Sequence, residues 1–222
     1  MLVCPSMPMP TMEILAATLN RLSLYYNYFQ IDIGDGIYVP NRTVQIDDIA
    51  NNYQSIDNFE NLVLDFHLMV KHYEEDIAKL AKLKNNLNIG KIFVHFGLNP
   101  DIKNLRKQYG FPVGPVLNFE DKVSDLKIAN PPETVDFLQI MSISPGPQGN
   151  PFIPESLIKI EQLRKAGYES KIFLDGAVND QTLPYINALK YKPDVICPGS
   201  FLCKPTGEEL KKRVVYLEKM SS

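Results

Sequence analysis

The chain contains few cysteines and no segment long enough to cross a membrane. Its cysteines, Cys4, Cys197 and Cys203, are odd in number and lack the spacing of a metal site. This pattern is typical of reduced thiols in a cytosolic protein rather than of a disulfide framework. No apolar run approaches the roughly 20 residues that span a bilayer, and the proline-containing amino terminus lacks the basic segment of a signal peptide. The sequence predicts a cytoplasmic protein with no membrane partner.

An excess of positive charge is also missing. The chain has 23 lysines and arginines against 26 aspartates and glutamates, a formal net charge of -3. Its basic residues are scattered, apart from short pairs such as Lys211 and Lys212, so we expect no nucleic-acid partner. With 45% hydrophobic and 22% charged residues, the composition is that of an ordinary globular protein with a sizeable core.

Short apolar runs alternate with helical patterns along the whole chain, which is typical of βα units and a parallel sheet. The predicted strands are residues 2–4, 29–33, 62–69, 91–95, 111–117, 135–143, 171–175 and 194–197. The predicted helices are residues 12–24, 44–53, 73–87, 100–109, 121–129, 154–166, 180–189 and 206–220. Eight βα units in 222 residues favour a closed barrel over an open doubly wound sheet. We therefore predict an α/β fold, a single (β/α)8 TIM barrel, with one domain over residues 1–222.

Polar side chains share the inner face of several predicted strands near their carboxyl ends, where TIM barrels carry their catalytic groups. Gln30 and Asp32 alternate with apolar residues on the second strand, Asp65 and His67 do so on the third, and Asp175 ends the seventh. One such residue alone is as often structural as functional, but their coincidence at three strand ends favours a site. Asp32 and Asp175 would approach one substrate from opposite faces, an arrangement suited to moving a proton between those faces.

Three glycine-containing loops follow the last predicted strands: residues 144–151, Gly176 with Ala177, and Gly199 with Ser200. Backbone amides in such loops bind anions, and TIM barrels often bind phosphate after strands seven and eight. Glycine and proline are also ordinary turn residues, so each loop alone is a weak indication. Their placement together favours a phosphorylated substrate.

The same segments resemble the motifs of the ribulose-phosphate 3-epimerase family along nearly the whole chain. Residues 32–41, DIGDGIYVPN, are similar to the family's D-x-M-D-G-x-F-V-P-N, and residues 65–70, DFHLMV, to its D-x-H-L-M-V. Residues 141–152 resemble its M-x-V-x-P-G-F-G-G-Q-x-F loop, residues 174–177 its V-D-G-G, and residues 199–200 part of its G-S-x-x-F.

The resemblance implies inversion beside a ketone, by proton removal on one face of an enediolate and return on the other. It makes Asp32 and Asp175 the catalytic pair and, with His67, ligands of a divalent cation. Gln30 stands where the family has a second metal-binding histidine. A glutamine oxygen favours magnesium or manganese over zinc. The sequence leaves open whether zinc, manganese, iron, magnesium or no metal is used.

The resemblance also implies a set of substrate-binding residues. They are Ser6, His67, Met69, Met141, Gly146, Gln148, Gly149, Gly176, Ala177, Gly199 and Ser200. The family pattern is altered where Gly34 replaces a methionine, Ala177 replaces a glycine, and Pro147 and Gln148 change the phosphate loop. The two remaining histidines, His72 and His95, are expected to have structural or supporting roles.

These residues support one leading hypothesis and three alternatives. The leading one is an epimerase, an isomerase of carbohydrate metabolism that interconverts D-ribulose 5-phosphate and D-xylulose 5-phosphate. The alternatives are an epimerase of a hexulose 6-phosphate, a catalytically impaired phosphosugar-binding protein, and a decarboxylase of the same superfamily. The decarboxylase motif D-x-K-x-x-D is not met, because His67 and Val70 occupy its lysine and second acid positions. A homo-oligomer is compatible with all four.

Overall fold

Nine parallel strands form one sheet in the computed structural model, which describes residues 1–221. The strands are β1 (Leu2–Val3), β2 (Ser6–Met7), β3 (Tyr28–Gly34), β4 (Val63–Met69), β5 (Ile89–His95), β6 (Val113–Leu117), β7 (Phe137–Met141), β8 (Lys171–Asp175) and β9 (Val195–Cys197). Their order is β1-β9-β8-β7-β6-β5-β4-β3-β2, so each strand from β2 to β9 lies beside the next in the chain. This is the order that repeated βα units produce.

The first segment of the chain closes the sheet into a barrel. Its two short strands pair with opposite ends of the sheet, β1 with β9 and β2 with β3. Between them, the Cys4 amide donates to the Ile196 carbonyl, and the Gln30 amide donates to the Pro5 carbonyl. The predicted TIM barrel is confirmed. The strand predicted over residues 2–4 is instead two short strands, β1 and β2, because Pro5 between them has no amide hydrogen to donate to the ladder.

Helices follow the strands around the outside. They are α1 (Met12–Leu22), α2 (Ile46–Asn52), α3 (Tyr73–Leu83), α4 (Ile102–Tyr109), α5 (Val123–Ala129), α6 (Ile158–Lys165), α7 (Leu183–Asn187), α8 (Ser200–Cys203) and α9 (Gly207–Ser221). Short 3-10 helices are Tyr53–Ser55, Phe59–Asn61, Phe96–Leu98, Pro132–Thr134 and Pro154–Leu157. In residues 1–221, none of the helices has the length and apolar character needed to cross a membrane.

Several elements are shorter than the sequence pattern predicts. The helix predicted over 180–189 begins only at Leu183, because the Asn179 side chain accepts hydrogen bonds from the Gln181 and Thr182 amides and holds a turn there. The strand predicted over 135–143 is Phe137–Met141. Beyond it, the Ser142 hydroxyl donates to the Gly176 carbonyl at 2.6 Å, which ties this segment to the loop after β8.

Alternation along the strands separates an outer and an inner core. Ile31 and Ile33 belong to the large cluster between sheet and helices. Inside the barrel, Phe93, Phe137 and Phe173 pack edge to face, with the centroid of Phe93 5.3 Å from that of Phe137 and 4.9 Å from that of Phe173. These rings fill the interior below the carboxyl ends of the strands, so the open space lies above them.

Gly114 of β6 provides the room for one of these rings. A Cβ added at Gly114 would lie 2.5 Å from Phe137 Cε2 and 2.6 Å from the Phe137 carbonyl oxygen, so strand backbone would have to move. We expect Gly114→Ala to lower the free energy of unfolding by about 2 kcal/mol, as overpacked cores do. Urea denaturation measures it. Gly97→Ala is the control, because its Cβ would meet nothing closer than Asp121 Oδ1 at 3.9 Å. Equal losses in the two variants would contradict the packing argument.

Candidate active site

A cavity of about 270 Å³ opens at the carboxyl ends of the strands. It is lined by all thirteen residues that the sequence assigned to catalysis or substrate binding: Ser6, Asp32, His67, Met69, Met141, Gly146, Gln148, Gly149, Asp175, Gly176, Ala177, Gly199 and Ser200. Gln30 is fully buried and lies beneath it. His72 lies outside it, at the residue before α3.

Asp32, His67 and Asp175 form a buried cluster at the base of the cavity. The register of β3 against β4 places Asp32 opposite His67, and Asp175 is the last residue of β8. His67 Nδ1 lies 3.3 Å from Asp32 Oδ1 and 3.4 Å from Asp175 Oδ2. One ligand-type atom from each residue falls within 4.8 Å of the others, so the group could hold a metal ion. It is the cluster expected from the sequence.

The electrostatics of the cluster are set by burial and by the two carboxylates. Burial alone would lower the pKa of His67, but hydrogen bonds to Asp175 and Asp32 and the charges of both raise it to about 9. Burial raises the pKa of Asp32, and its hydrogen bond to His67 opposes that effect. A proton on His67 therefore balances part of the negative charge of the two acids.

His95 supports the orientation of His67. The two rings meet through their Nε2 atoms at 3.0 Å. Burial, followed by the nearby His67, lowers the pKa of His95 well below its usual range, so His95 is neutral and accepts the His67 Nε2–H. This contact leaves His67 Nδ1 directed at Asp32 and Asp175.

Two glutamine amides lie beneath the acids. Gln30 Nε2 donates to Asp32 Oδ1 at 2.9 Å and to Asp175 Oδ2 at 2.7 Å. Gln139 Nε2 donates to Asp175 Oδ2 at 3.0 Å and lies 3.2 Å from His67 Nδ1. The sequence-based assignment did not include Gln139. In the sequence, Gln139 is distinguished only as a polar residue on the inner face of an apolar strand, two positions before Met141.

The other end of the cavity is polar but uncharged. Among residues 1–221, no lysine or arginine lines it. Gln148 Nε2 is buried with no hydrogen-bond partner in the described residues. It lies beside Gly199, where an added Cβ would sit 3.2 Å from that nitrogen and 3.1 Å from Ser6 Oγ. Neutral donors are thus available for an anion. The lining also includes Asn150, Asn179, Gln181 and Thr182, which the sequence did not single out.

Comparison with known proteins agrees with this arrangement. The model of the ribulose-phosphate 3 epimerase family matches residues 3–202. The ribulose-phosphate 3-epimerase of Helicobacter pylori is 28% identical over 215 residues, which is 95% of this chain and 94% of that protein. The ribulose-phosphate 3-epimerase, cytoplasmic isoform, of Oryza sativa subsp. japonica is 29% identical over 190 residues, 82% of this chain and 78% of that protein.

A solved structure shares the fold. The 3-hexulose-6-phosphate synthase from Salmonella typhimurium superposes with a TM-score of 0.65 at 13% identity, covering 99% of this chain and 98% of that one. At this identity the likeness concerns the barrel and its strand order alone.

Proposed function

The chain belongs to the ribulose-phosphate 3-epimerase family, and from that premise we propose that it interconverts D-ribulose 5-phosphate and D-xylulose 5-phosphate. The observation that carries the proposal is the convergence of Asp32 and Asp175 on one cavity from β3 and β8, strands that are not neighbours. Inversion needs one group to take a proton and another to return it from the opposite face. Two buried carboxylates meet that need.

The carboxylates exchange acid and base roles with the direction of the reaction. One removes the C3 proton, which the adjacent ketone acidifies, and the other donates a proton to the opposite face of the enediolate. Burial raises the pKa of Asp32, which helps this residue carry the proton that a general acid must deliver. The amides of Gln30 and Gln139 hold the acids in place through the hydrogen bonds to Asp175 and Asp32.

A divalent cation fits the same cluster. Asp32, His67 and Asp175 supply the oxygen and nitrogen atoms that would hold it. When bound, such a cation stabilises negative charge that develops on the substrate oxygens. His67 can serve as a ligand because its Nε2–H is held by His95, which keeps Nδ1 directed at the acids.

Because both carboxylates and His67 are in place, the arrangement supports an epimerase over a phosphosugar-binding protein without catalysis. We further propose a cytoplasmic location and a role in pentose phosphate metabolism, supported by the names of the relatives.

The direct test uses purified protein supplied in turn with Mg²⁺, Mn²⁺ and Zn²⁺. We expect conversion of D-ribulose 5-phosphate to D-xylulose 5-phosphate, and exchange of the C3 hydrogen with deuterated water followed by NMR. Exchange is the more sensitive readout, because one base that removes the proton and returns a deuteron to the same face is enough, without inversion. Neither conversion nor exchange with any of the three cations would refute the proposal.

Gln148 offers a test of the phosphate end. Its buried Nε2 lacks a partner within residues 1–221, so a phosphate oxygen is a suitable acceptor. Hydrogen bonds to charged groups contribute about 1.5–3 kcal/mol, so we expect Gln148→Leu to raise KM about tenfold or more with a smaller change in kcat. Competitive inhibition by inorganic phosphate should weaken by a similar factor. Gln54→Leu, at an exposed amide that does not line the cavity, is the control. An unchanged KM would place the phosphate elsewhere.

A further inference from the structure

We infer that Gln30 and Gln139 are oxygen ligands that, with Asp32, His67 and Asp175, form a five-residue site for a hard divalent cation, Mg²⁺ or Mn²⁺. Gln139 holds Asp175 in place through a hydrogen bond but takes no part in the proton transfers themselves. The inference rests on the proposed function only in placing a cation at the acid cluster. It adds the residues that select which cation binds.

Both amides lie at hydrogen-bond distance from the acid cluster, close enough to share a cation with it. The Gln30 Nε2 atom lies 2.9 Å from Asp32 Oδ1 and 2.7 Å from Asp175 Oδ2. The Gln139 Nε2 atom lies 3.0 Å from Asp175 Oδ2 and 3.2 Å from His67 Nδ1. In an octahedron with bonds of about 2.0–2.1 Å, neighbouring ligand atoms are about 2.8–3.0 Å apart. The amide nitrogens lie at about this distance from the acids, and an amide oxygen in the same place would do so too. His67 Nδ1 lies slightly farther, 3.3 Å from Asp32 Oδ1 and 3.4 Å from Asp175 Oδ2.

Each amide presents nitrogen to the acids as it stands, and a half-turn about the last side-chain bond would present oxygen instead. Nothing strong on the far side opposes that turn. Gln139 Oε1 is buried and has no partner in residues 1–221. Within the same residues, Gln30 Oε1 receives only a weak contact from Cys197 Sγ at 3.8 Å. Both amides can therefore face the acids with either end.

The two orientations suit two states of the site. Without a cation, the amide hydrogens satisfy two buried carboxylates that would otherwise be costly. With a cation, the carbonyl oxygens become ligands, and the carboxylates are satisfied by the metal. A leucine at residue 139 would fill the barrel interior, as branched apolar residues usually do, but it would serve neither state. The two states together explain why the fully buried residue 139 is a glutamine.

The resulting set is four oxygens and one imidazole nitrogen. Carboxylate and carbonyl oxygens suit Mg²⁺ and Mn²⁺, whereas histidine and cysteine ligands favour Zn²⁺. The donor atoms of the site thus favour Mg²⁺ and Mn²⁺ over Zn²⁺, and the residues responsible for this preference are Gln30 and Gln139.

The test measures cation binding directly, independently of turnover. Chelator-treated protein is titrated with MnCl2, MgCl2 and ZnCl2 by calorimetry, and bound Mn²⁺ is counted by electron paramagnetic resonance. We expect one Mn²⁺ per chain in the wild type. Gln139→Met and Gln30→Met should each weaken Mn²⁺ binding about tenfold or more, with a smaller effect on Zn²⁺. Gln54→Met, at an exposed amide, should bind Mn²⁺ as the wild type does.

A second measurement needs no variant. The side-chain NH2 signals of Gln30 and Gln139 in ¹⁵N NMR should shift on saturation with Mg²⁺, because both amides then lose their hydrogen bonds to the acids. This measurement tests the inference even if a substitution at a buried residue prevents the variant from folding. Unmoved signals, undiminished Mn²⁺ affinity in folded Gln139→Met, or no cation binding by the wild type would overturn the inference.

The outcomes separate this inference from the proposed epimerase. Epimerisation that persists with no dependence on Gln139 or on added cation overturns the five-residue site and leaves the function standing. A Mn²⁺ site that needs both amides, in a protein that neither converts D-ribulose 5-phosphate nor exchanges its C3 hydrogen, supports the site and refutes the function.

Discussion

Asp32→Asn and Asp175→Asn should each lower kcat for epimerisation by about 10²- to 10⁴-fold, the range that a general acid or base contributes. An asparagine keeps the shape of the side chain but can neither take nor return the C3 proton. Both carboxylates line the cavity and contact His67 and Gln30, so each variant also removes one negative charge from the cluster. Steady-state rates alone would not separate these effects.

Hydrogen exchange separates them. If the two acids serve opposite faces, each variant should still exchange the C3 hydrogen of one epimer, the one whose face retains its base, without inverting it. The other epimer should fail to exchange. We therefore expect reciprocal patterns in deuterated water for Asp32→Asn and Asp175→Asn, starting from each pure epimer.

Asp180→Asn is the matched control, because Asp180 is exposed in the loop after β8 and does not line the cavity. Its rates should equal those of the wild type. Loss of exchange from both epimers in both variants, at saturating cation, would contradict the assignment of one acid to each face.

The acid cluster could be predicted because it depends on local alternation and on the rule that barrel sites lie at strand ends. Asp32 and His67 each lie inward on a strand whose apolar partners lie outward, and Asp175 ends its own strand. Family motifs around these residues added their roles. In the structure, Asp32, His67 and Asp175, which three separate segments indicated, line one cavity.

Gln139 could not be predicted in the same way. Its contacts with Asp175 and His67 depend on how β7 is placed within the barrel, which no single segment encodes. A single glutamine in an otherwise apolar strand gives no indication that its side chain contacts Asp175 or His67. The division of the first strand at Pro5 was hidden for a similar reason, because each half pairs with a strand distant in sequence.

Asp65 illustrates a further role that strand alternation could not assign. It shares the inner face of β4 with His67 but faces the opposite end of the barrel, where it accepts hydrogen bonds from the Tyr28 hydroxyl and the Lys91 amide. Lys91 Nζ lies 4.0 Å from its carboxylate. Burial raises the pKa of Asp65 to about 6, against the opposing charge of Lys91. Keeping Asp65 ionised in the folded protein therefore costs free energy near neutral pH.

The sign of the pH dependence follows from that shift. The folded state binds the Asp65 proton more tightly than the unfolded state, whose carboxyl has the ordinary value of 3.8. The contribution of Asp65 to stability is thus fully present below pH 3.8 and is lost as the pH rises through about 6. Between pH 7.5 and 4.5, we expect the wild type to gain about 2 kcal/mol relative to Asp65→Asn, whose amide does not titrate.

Urea denaturation of both proteins at the two pH values measures this difference, and groups that titrate alike in both proteins cancel. The asparagine can still accept from the Lys91 amide, so the variant should fold and should be at least as stable as the wild type at pH 7.5. If the difference in unfolding free energy between the two proteins is the same at both pH values, Lys91 and Tyr28 fully compensate the buried charge of Asp65. The amino end of the barrel would then resemble the catalytic end, where His67 and two amides balance the charges of two acids.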